Sequence, residues 1–340
     1  MLTMDVFKQD AFSPISLTAA VDKIDYVPDY LSNLNGLFVD DPVRTEVIWI
    51  EERSTGAVIL EFSPRGTAPH QTGGDSRNAR SFATLRYGDA SRITASELMN
   101  VRAFGSETEL KTLQGEVGRR QFKIKSNMQL TKEYHKFNCI TAAVVKGADG
   151  NVRYNWATEF GQSIPAPVNM DVANYGQNGA IKIKCNNVRR TMQKNLKGVG
   201  VARDIIALCG DNFYDALSGN KEVRETYLNT VKAQDLQNNM KEWEQFRYGN
   251  MTWINYRGTD DGTFGVDTDT CHFVPVGAGI FRWAMSPGER FEHIGTLGQD
   301  TYSWIVTDKD RDSWADVEVY SYPLPVCTMP QALMKGTKAA

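Results

Sequence analysis

Asn100–Gln114, NVRAFGSETELKTLQ, reads as the opening of a long helix set directly behind an extended segment that holds no lysine. Ser106 and Glu109 stand at capping-box spacing: the Ser106 hydroxyl accepts from the Glu109 amide, and the Glu109 carboxylate reaches back to the first free amide. Glu107 and Glu109 also place negative charge at the positive end of the helix dipole. Behind the cap, Leu110, Leu113, Val117, Ile124, Met128 and Thr131 form a largely apolar stripe at helical spacing. A helix over about 106–145, at ~1.5 Å per residue, is a rod of about 60 Å. Gly115 and Gly118 lie within one turn of it, and each costs about 1 kcal/mol relative to alanine. A bend or weak point is expected there, with close packing as the alternative. A rod of this length with no catalytic motif beside it points to architecture.

Working outward, residues 1–43 carry Pro14, Pro28 and Pro42 without a sustained period and read as an extended arm that needs a neighbour. Glu46–Phe62 is rich in β-branched and aromatic residues, and a return strand near Ala79–Tyr87 would close a long hairpin. Its tip, Ser63–Asn78, is polar and rich in glycine and proline, and reads either as a mobile surface loop or as an arm that packs on another subunit. Arg65, Arg77 and Arg80 outnumber Asp75 around that tip, and guanidinium groups suit bidentate contact with a neighbour's carboxylates. After the helix, Lys146–Gly150 is a turn and Asn151–Phe160 a returning strand. Helices are expected over Ile181–Leu196, Asn212–Tyr227 and Thr230–Tyr248, and a buried strand over Ala202–Cys209. Strands over Met251–Tyr256 and Thr263–Val276 flank a turn at Asp260–Gly262. Strands at Ile280–Met285, Thr301–Val306 and Asp316–Pro325 end the β content. Helices and strands in blocks give an α+β class.

Composition excludes several functions. The 340 residues hold 41% hydrophobic and 23% charged residues with a net charge of −3, which argues against a dedicated nucleic-acid binder. No apolar run approaches the ~20 residues that span a bilayer, and the first residues lack the basic start and apolar core of a secretory signal. The five cysteines, Cys139, Cys185, Cys209, Cys271 and Cys327, never form a C-x-x-C pair and read as buried thiols in a reducing compartment. Phosphate-loop, dinucleotide, nucleophile-elbow and zinc-protease motifs are missing, so no catalytic, cofactor or metal residue is assigned. His135 continues the helix stripe and reads as a packed, hydrogen-bonded histidine. Asp260, Asp261, Asp267 and Asp269 fail the calcium-loop spacing and read as hairpin-turn residues. Lys111, Arg119, Arg120, Lys123, Lys125, Lys132 and Lys136 against Glu116 and Glu133 give either a solvated helix face or one turned to a polyanion.

Three blocks, VRAFGSETELKTLQ (Val101–Gln114), DGNVRYNWATEFG (Asp149–Gly161) and SYPLPVCTMPQALMK (Ser321–Lys335), resemble the lambda-type major capsid protein E family of tailed phages. SPRGTAP (Ser63–Pro69) fits its arm tip. The resemblance implies the Hong Kong 97-type fold: an N-terminal arm (1–45), an E-loop (46–93), a peripheral domain with a spine helix (94–161), an axial domain (162–311) and a return to the peripheral domain (312–340). It implies hexamers and pentamers of an icosahedral shell around double-stranded DNA, held by non-specific contact only, in a virion assembled in the host bacterial cytoplasm. Partners would be a separate scaffolding protein, since no long charged helical extension precedes the arm, a portal protein and, as an open alternative, a decoration protein. No lysine lies between Lys23 and Lys111, so an isopeptide weld from the E-loop is unavailable. Two other readings stay open: an encapsulin-like shell, and an α+β enzyme using Asp260, Asp261, Cys271 and His272.

Overall fold

The structure, a computed structural model, describes residues 30–54, 76–95, 97, 109–174, 179–197, 200–228, 245–256, 258–259, 264–311 and 313–338. A helical turn, α1 (Tyr30–Asn33), leads to β1 (Phe38–Pro42). β2 (Val47–Ser54) and β3 (Ser76–Ala83) pair antiparallel along their whole length, Val47 opposite Ala83 and Ser54 opposite Ser76, as the expected hairpin. β4 (Tyr87–Thr94) precedes the long helix, α2 (Glu109–Ala142). β5 (Val144–Lys146) and β6 (Val152–Asn155) form the small hairpin around Gly150, followed by α3 (Trp156–Glu159). Next come β7 (Val168–Asn169), α4 (Ala180–Asn195), β8 (Asp204–Cys209), α5 (Asp211–Gly219) and α6 (Lys221–Leu228). Then follow β9 (Gln245–Tyr248), β10 (Met251–Asn255), β11 (Thr270–Val276), β12 (Phe281–Met285) and β13 (Tyr302–Thr307). β14 (Trp314–Ser321), β15 (Pro323–Cys327) and β16 (Met334–Thr337) complete the described strands.

The sheets run β7-β16-β11-β8-β10-β9, β1-β12-β15 and β13-β14-β4, beside the two hairpins. Pairing is mostly antiparallel, with β1–β12, β8–β10 and β7–β16 parallel, so the chain is α+β. Alternation along β8 shows why the six-stranded sheet lies inside the molecule. Ile206 and Leu208 face one core while Ile205, Ala207 and Cys209 face another, because successive strand side chains point to opposite sides. The second core is closed by Ile181, Cys185, Val188 and Met192, spaced by three and four on the inner face of α4. The first core holds Phe137, Cys139 and Ile140 of α2, with Leu31, Leu37, Ile48, Phe82 and Trp156. A third, smaller core joins Val117, Ile124 and Met128 of α2 to Ile93 of β4 and to Val317 and Val319 of β14. The predicted stripe is therefore the buried one over Val117–Met128, while residues 101–108, with Ser106 and its cap, lie outside the described residues.

Several expectations are corrected. Helix α2 ends at Ala142, earlier than 145, because Ala143 takes a left-handed φ of 53° and its carbonyl accepts the Trp156 amide at 2.9 Å. Asn151–Phe160 is not one strand: Asn155 accepts from the Ala157 and Thr158 amides and caps α3. Gln245–Tyr248 is strand where helix was expected over 230–248, of which 230–244 lie outside the described residues. β10 and β11 do not form a hairpin, since β8 lies between them and pairs with both. The β content continues past Pro325 into β16, which joins the six-stranded sheet, so residues 312–340 serve three sheets rather than the helix side alone. From Tyr30 onward the supposed arm is held by its own subunit: Leu31 and Leu37 are buried, and β1 pairs with β12.

Helix α2 runs unbroken through Gly115 and Gly118, and a Cβ added at either meets nothing within 4 Å. Neither glycine is needed for close packing within the subunit. Replacing both with alanine should raise the unfolding free energy by about 1–2 kcal/mol in urea titration, from helix propensity alone. A loss of stability would mean that the backbone at these positions is not ordinary helix.

Candidate functional site

Two built features and two exposed ones stand out. The first is the root of the β2–β3 hairpin. Phe82 packs edge-on against Trp156 (5.1 Å between centroids), Tyr154 (5.7 Å) and Phe160 (6.2 Å), and Trp156 stacks between Tyr154 and Phe160. The Trp156 indole donates to the Pro325 carbonyl at 3.1 Å, and the Tyr154 hydroxyl to the Ala83 carbonyl at 3.1 Å. Arg80 donates to the Glu159 carbonyl and lies 3.8 Å from its carboxylate. The segment read as a returning strand is thus a clamp that fixes the hairpin's angle.

The second is the inner face of α2. The Glu133 carboxylate is buried; its Oε1 accepts from the Leu31 amide and the Tyr256 hydroxyl, each at 3.0 Å, while Oε2 has no hydrogen-bond partner. Lys136 donates to Ser32 Oγ at 2.6 Å and lies 5.4 Å from the Phe38 ring and 5.1 Å from Trp283. Lys132 pairs with Asp300, and Arg120 donates to Ser91 Oγ at 2.9 Å and Glu97 at 3.1 Å. The basic face expected on this helix is therefore divided. Arg120, Lys132 and Lys136 are bound to their own chain, while Lys123 is exposed. His135 is buried against Tyr87 (5.9 Å) and Tyr134 (5.6 Å) as expected, but its Nδ1 lacks the hydrogen bond also expected.

Exposed apolar side chains mark the remaining features. Trp49, on the outer face of β2, is 66% exposed, and Phe291, between β12 and β13, is 93% exposed. Sequence reasoning missed both, because exposure of a single aromatic residue leaves no periodic signal. Arg65 lies outside the described residues, and Arg77 sits in β3 opposite Arg53. Arg80, expected to face a neighbour, is engaged with its own Glu159.

Of the four residues of the enzyme reading, only Cys271 and His272 are among the described residues, and they are not brought together. Cys271 is fully buried in the second core, while its neighbour His272 lies on the opposite face of β11; Asp260 and Asp261 fall outside the described residues. No group of three metal-ligating side chains occurs among the described residues. All five cysteines are free and buried, and burial pushes the thiols of Cys139, Cys185, Cys271 and Cys327 up, leaving them protonated and unreactive. No helix among the described residues is long and apolar enough to cross a membrane.

The model of the phage major capsid protein E family matches residues 13–338. The chain belongs to this family. It is 27% identical over 328 residues to the major capsid protein of Pseudomonas phage KPP10, covering 89% of this chain and 91% of that protein. It is 25% identical over 363 aligned positions to the major capsid protein of Salmonella phage Felix O1, covering 96% of each. Among solved structures, the capsid of cyanophage P-SCSP1u superposes with a TM-score of 0.52 at 9% identity, over 93% of this chain and 90% of that one. The mature capsid of bacteriophage PhiM1 gives 0.51 at 10% identity, over 93% and 89%. These likenesses show the fold, which is the Hong Kong 97-type capsid fold read from the sequence. As a member of the family the chain is a structural protein of the virion capsid and assembles into a multimeric shell. The encapsulin-like and enzyme readings gain nothing from these relatives.

Burial lowers the pKa of His135 from 6.5 to about 4. Between those values the unfolded chain binds a proton that the folded chain refuses. The stability is therefore full above pH 6.5 and falls as pH drops through that window. His272 is lowered in the same direction, by burial first and Lys335 second. Urea titration of the unassembled subunit should show this fall, with His135 contributing up to about 1.4 kcal/mol per pH unit. His135→Gln should flatten the slope; a slope unchanged by it would mean that His135 is not the buried neutral group described.

Proposed function

We propose that copies of this chain form the hexamers and pentamers of an icosahedral shell around double-stranded DNA, with the β2–β3 hairpin lying across a neighbouring subunit. The observation that carries this reading is the hairpin itself. Its inner face, with Ile48 and Phe82, is anchored at the root, while its outer face presents Trp49 to solvent. Neither edge of the two strands pairs with a third among the described residues. Unpaired edges and an exposed tryptophan invite a partner, and a shell supplies one in every copy. Arg65 and Arg77 are the tip residues assigned to a neighbour's carboxylates; Arg80 holds the root.

DNA contact in this reading is weak and non-specific, in keeping with the net charge of −3 and with the helix cations that are spent inside the subunit. The shell is built in the host bacterial cytoplasm with separate scaffolding and portal proteins, and a decoration protein is a further candidate partner. Gly115 and Gly118 form the pliant part of the spine helix, which lets one subunit fit both a compact precursor and an expanded shell.

Negative-stain electron microscopy of the chain co-expressed with its scaffold should show closed particles. Hydrogen exchange should then slow across 47–54 and 76–83 on passing from free subunit to shell. Closed particles in which those amides exchange as before would remove the hairpin from the interface. Shells of the Gly115→Ala, Gly118→Ala variant should need stronger acid or heat to expand; expansion under parental conditions ends the hinge.

A further inference from the structure

The segment between β12 and β13 has its polarity inverted. Its apolar side chains, three residues apart, point outward: Phe291 is 93% exposed, Ile294 72% and Leu297 50%. Two of its polar side chains, Arg290 and His293, pack instead, while Glu289, Glu292, Thr296 and Gln299 are exposed. The Arg290 guanidinium lies 4.4 Å from the Trp304 ring centre, and the His293 ring lies 4.7 Å from Tyr302. The hydrophobic effect would reverse this arrangement in a segment free to turn over. This segment is not free. The Gly298 amide donates to the Val43 carbonyl at 2.9 Å, the Gln299 amide to the Tyr302 hydroxyl at 2.8 Å, and the Thr296 hydroxyl to the His293 carbonyl at 2.7 Å. At Gly298 a Cβ would fall 2.0 Å from the Met285 carbonyl oxygen, so only glycine lets the backbone come so close. The chain thus holds three apolar side chains in water on a fixed backbone.

We propose that Phe291, Ile294 and Leu297 are a docking surface for a second copy of this chain, one that joins adjacent subunits in the shell. The proposal rests on the shell reading above. Charge around the patch suits self-association, because each acid is already matched. Glu292 lies 4.0 Å from Arg290 and 3.6 Å from His293, and Glu289 lies 3.2 Å from Arg86. Two copies can approach here without facing like charge, and the apolar cluster gains by leaving water whatever apolar surface it meets. The patch also adjoins the root of the hairpin already assigned to subunit contact. Ile294 shares a cleft of about 330 Å³ with Arg44, Glu46, Thr84 and Arg86, the residues that flank β2 and β3. A patch of this kind left open in every copy would draw shells together, whereas a patch covered by the neighbouring subunit closes the shell on itself.

A single thiol reads the surface directly, since the five native cysteines are buried. The Phe291→Cys chain, as unassembled subunit and as shells of this chain freed of other head proteins, is treated with a maleimide. Labelling should be at least tenfold slower in the shells. The Phe291→Ser, Ile294→Ser, Leu297→Ser variant should keep the thermal unfolding of the parent subunit and lose at least tenfold in shell yield. Equal labelling in both states, or parental yield from the triple variant, overturns the proposal. Protection that appears only after another head protein is added assigns the patch to that protein and overturns it as well. Parent shells seen by microscopy with position 291 labelled freely would sink this surface and leave the shell reading standing. If the parent forms no shells, both fall.

Discussion

A carboxylate inside the molecule sets the position of everything around it. Glu133 is buried on α2, and a buried polar group is costly unless donors meet it; its Oε1 is met twice, its Oε2 not at all. The donors are the Leu31 amide and the Tyr256 hydroxyl, from segments far apart in the chain. Both must be in place at once, which fixes the helix register against the first segment and the six-stranded sheet together. One turn on, Lys136 repeats the device with Ser32, Phe38 and Trp283, and Phe137 stacks on Tyr256 at 5.5 Å. The other end of the helix is held differently. Val117, Ile124 and Met128 lie on β4 and β14 through apolar contact, flanked by the hydrogen bonds of Arg120 to Ser91 and Glu97 and of Gln121 to Ser303. One helix therefore has one half pinned around a buried carboxylate and another seated on an apolar surface with polar ties.

That division suits a structural protein. Nothing among the described residues gathers titrating groups into a reactive cluster; buried thiols and histidines are silenced by burial. What the chain exposes instead are surfaces: a hairpin with open edges and an apolar triad on a rigid segment. A standard-sized contact between protein subunits removes about 1,600 Å² from water.

Much of this was legible from residue order, and the limits were physical. The α2 stripe, the β2–β3 hairpin and the buried strand β8 follow from period and composition, which depend on near neighbours. The end of α2 was read too late because Ala143 turns left-handed without a glycine to announce it. The basic helix face was misread because a lysine on a wet face and a lysine lying over Trp283 look alike in sequence. Strand order escaped for the same reason: β10 and β11 are neighbours along the chain, yet β8 separates them. The family resemblance supplied the fold, and the clamp on Trp156 shows why one of its blocks carries so many aromatic residues.

The place of β16 bears on how a subunit comes into being. It lies between β7 and β11, paired parallel to one and antiparallel to the other, so a strand from residues 334–337 fills a slot inside a sheet whose other members come from 168–276. Synthesis through Thr337 has to precede closure of that sheet. A nascent chain, or one cut short by a premature stop, has an open gap where a finished subunit has a continuous surface. Closure of the six-stranded sheet thus waits on a strand that is made more than fifty residues after β11.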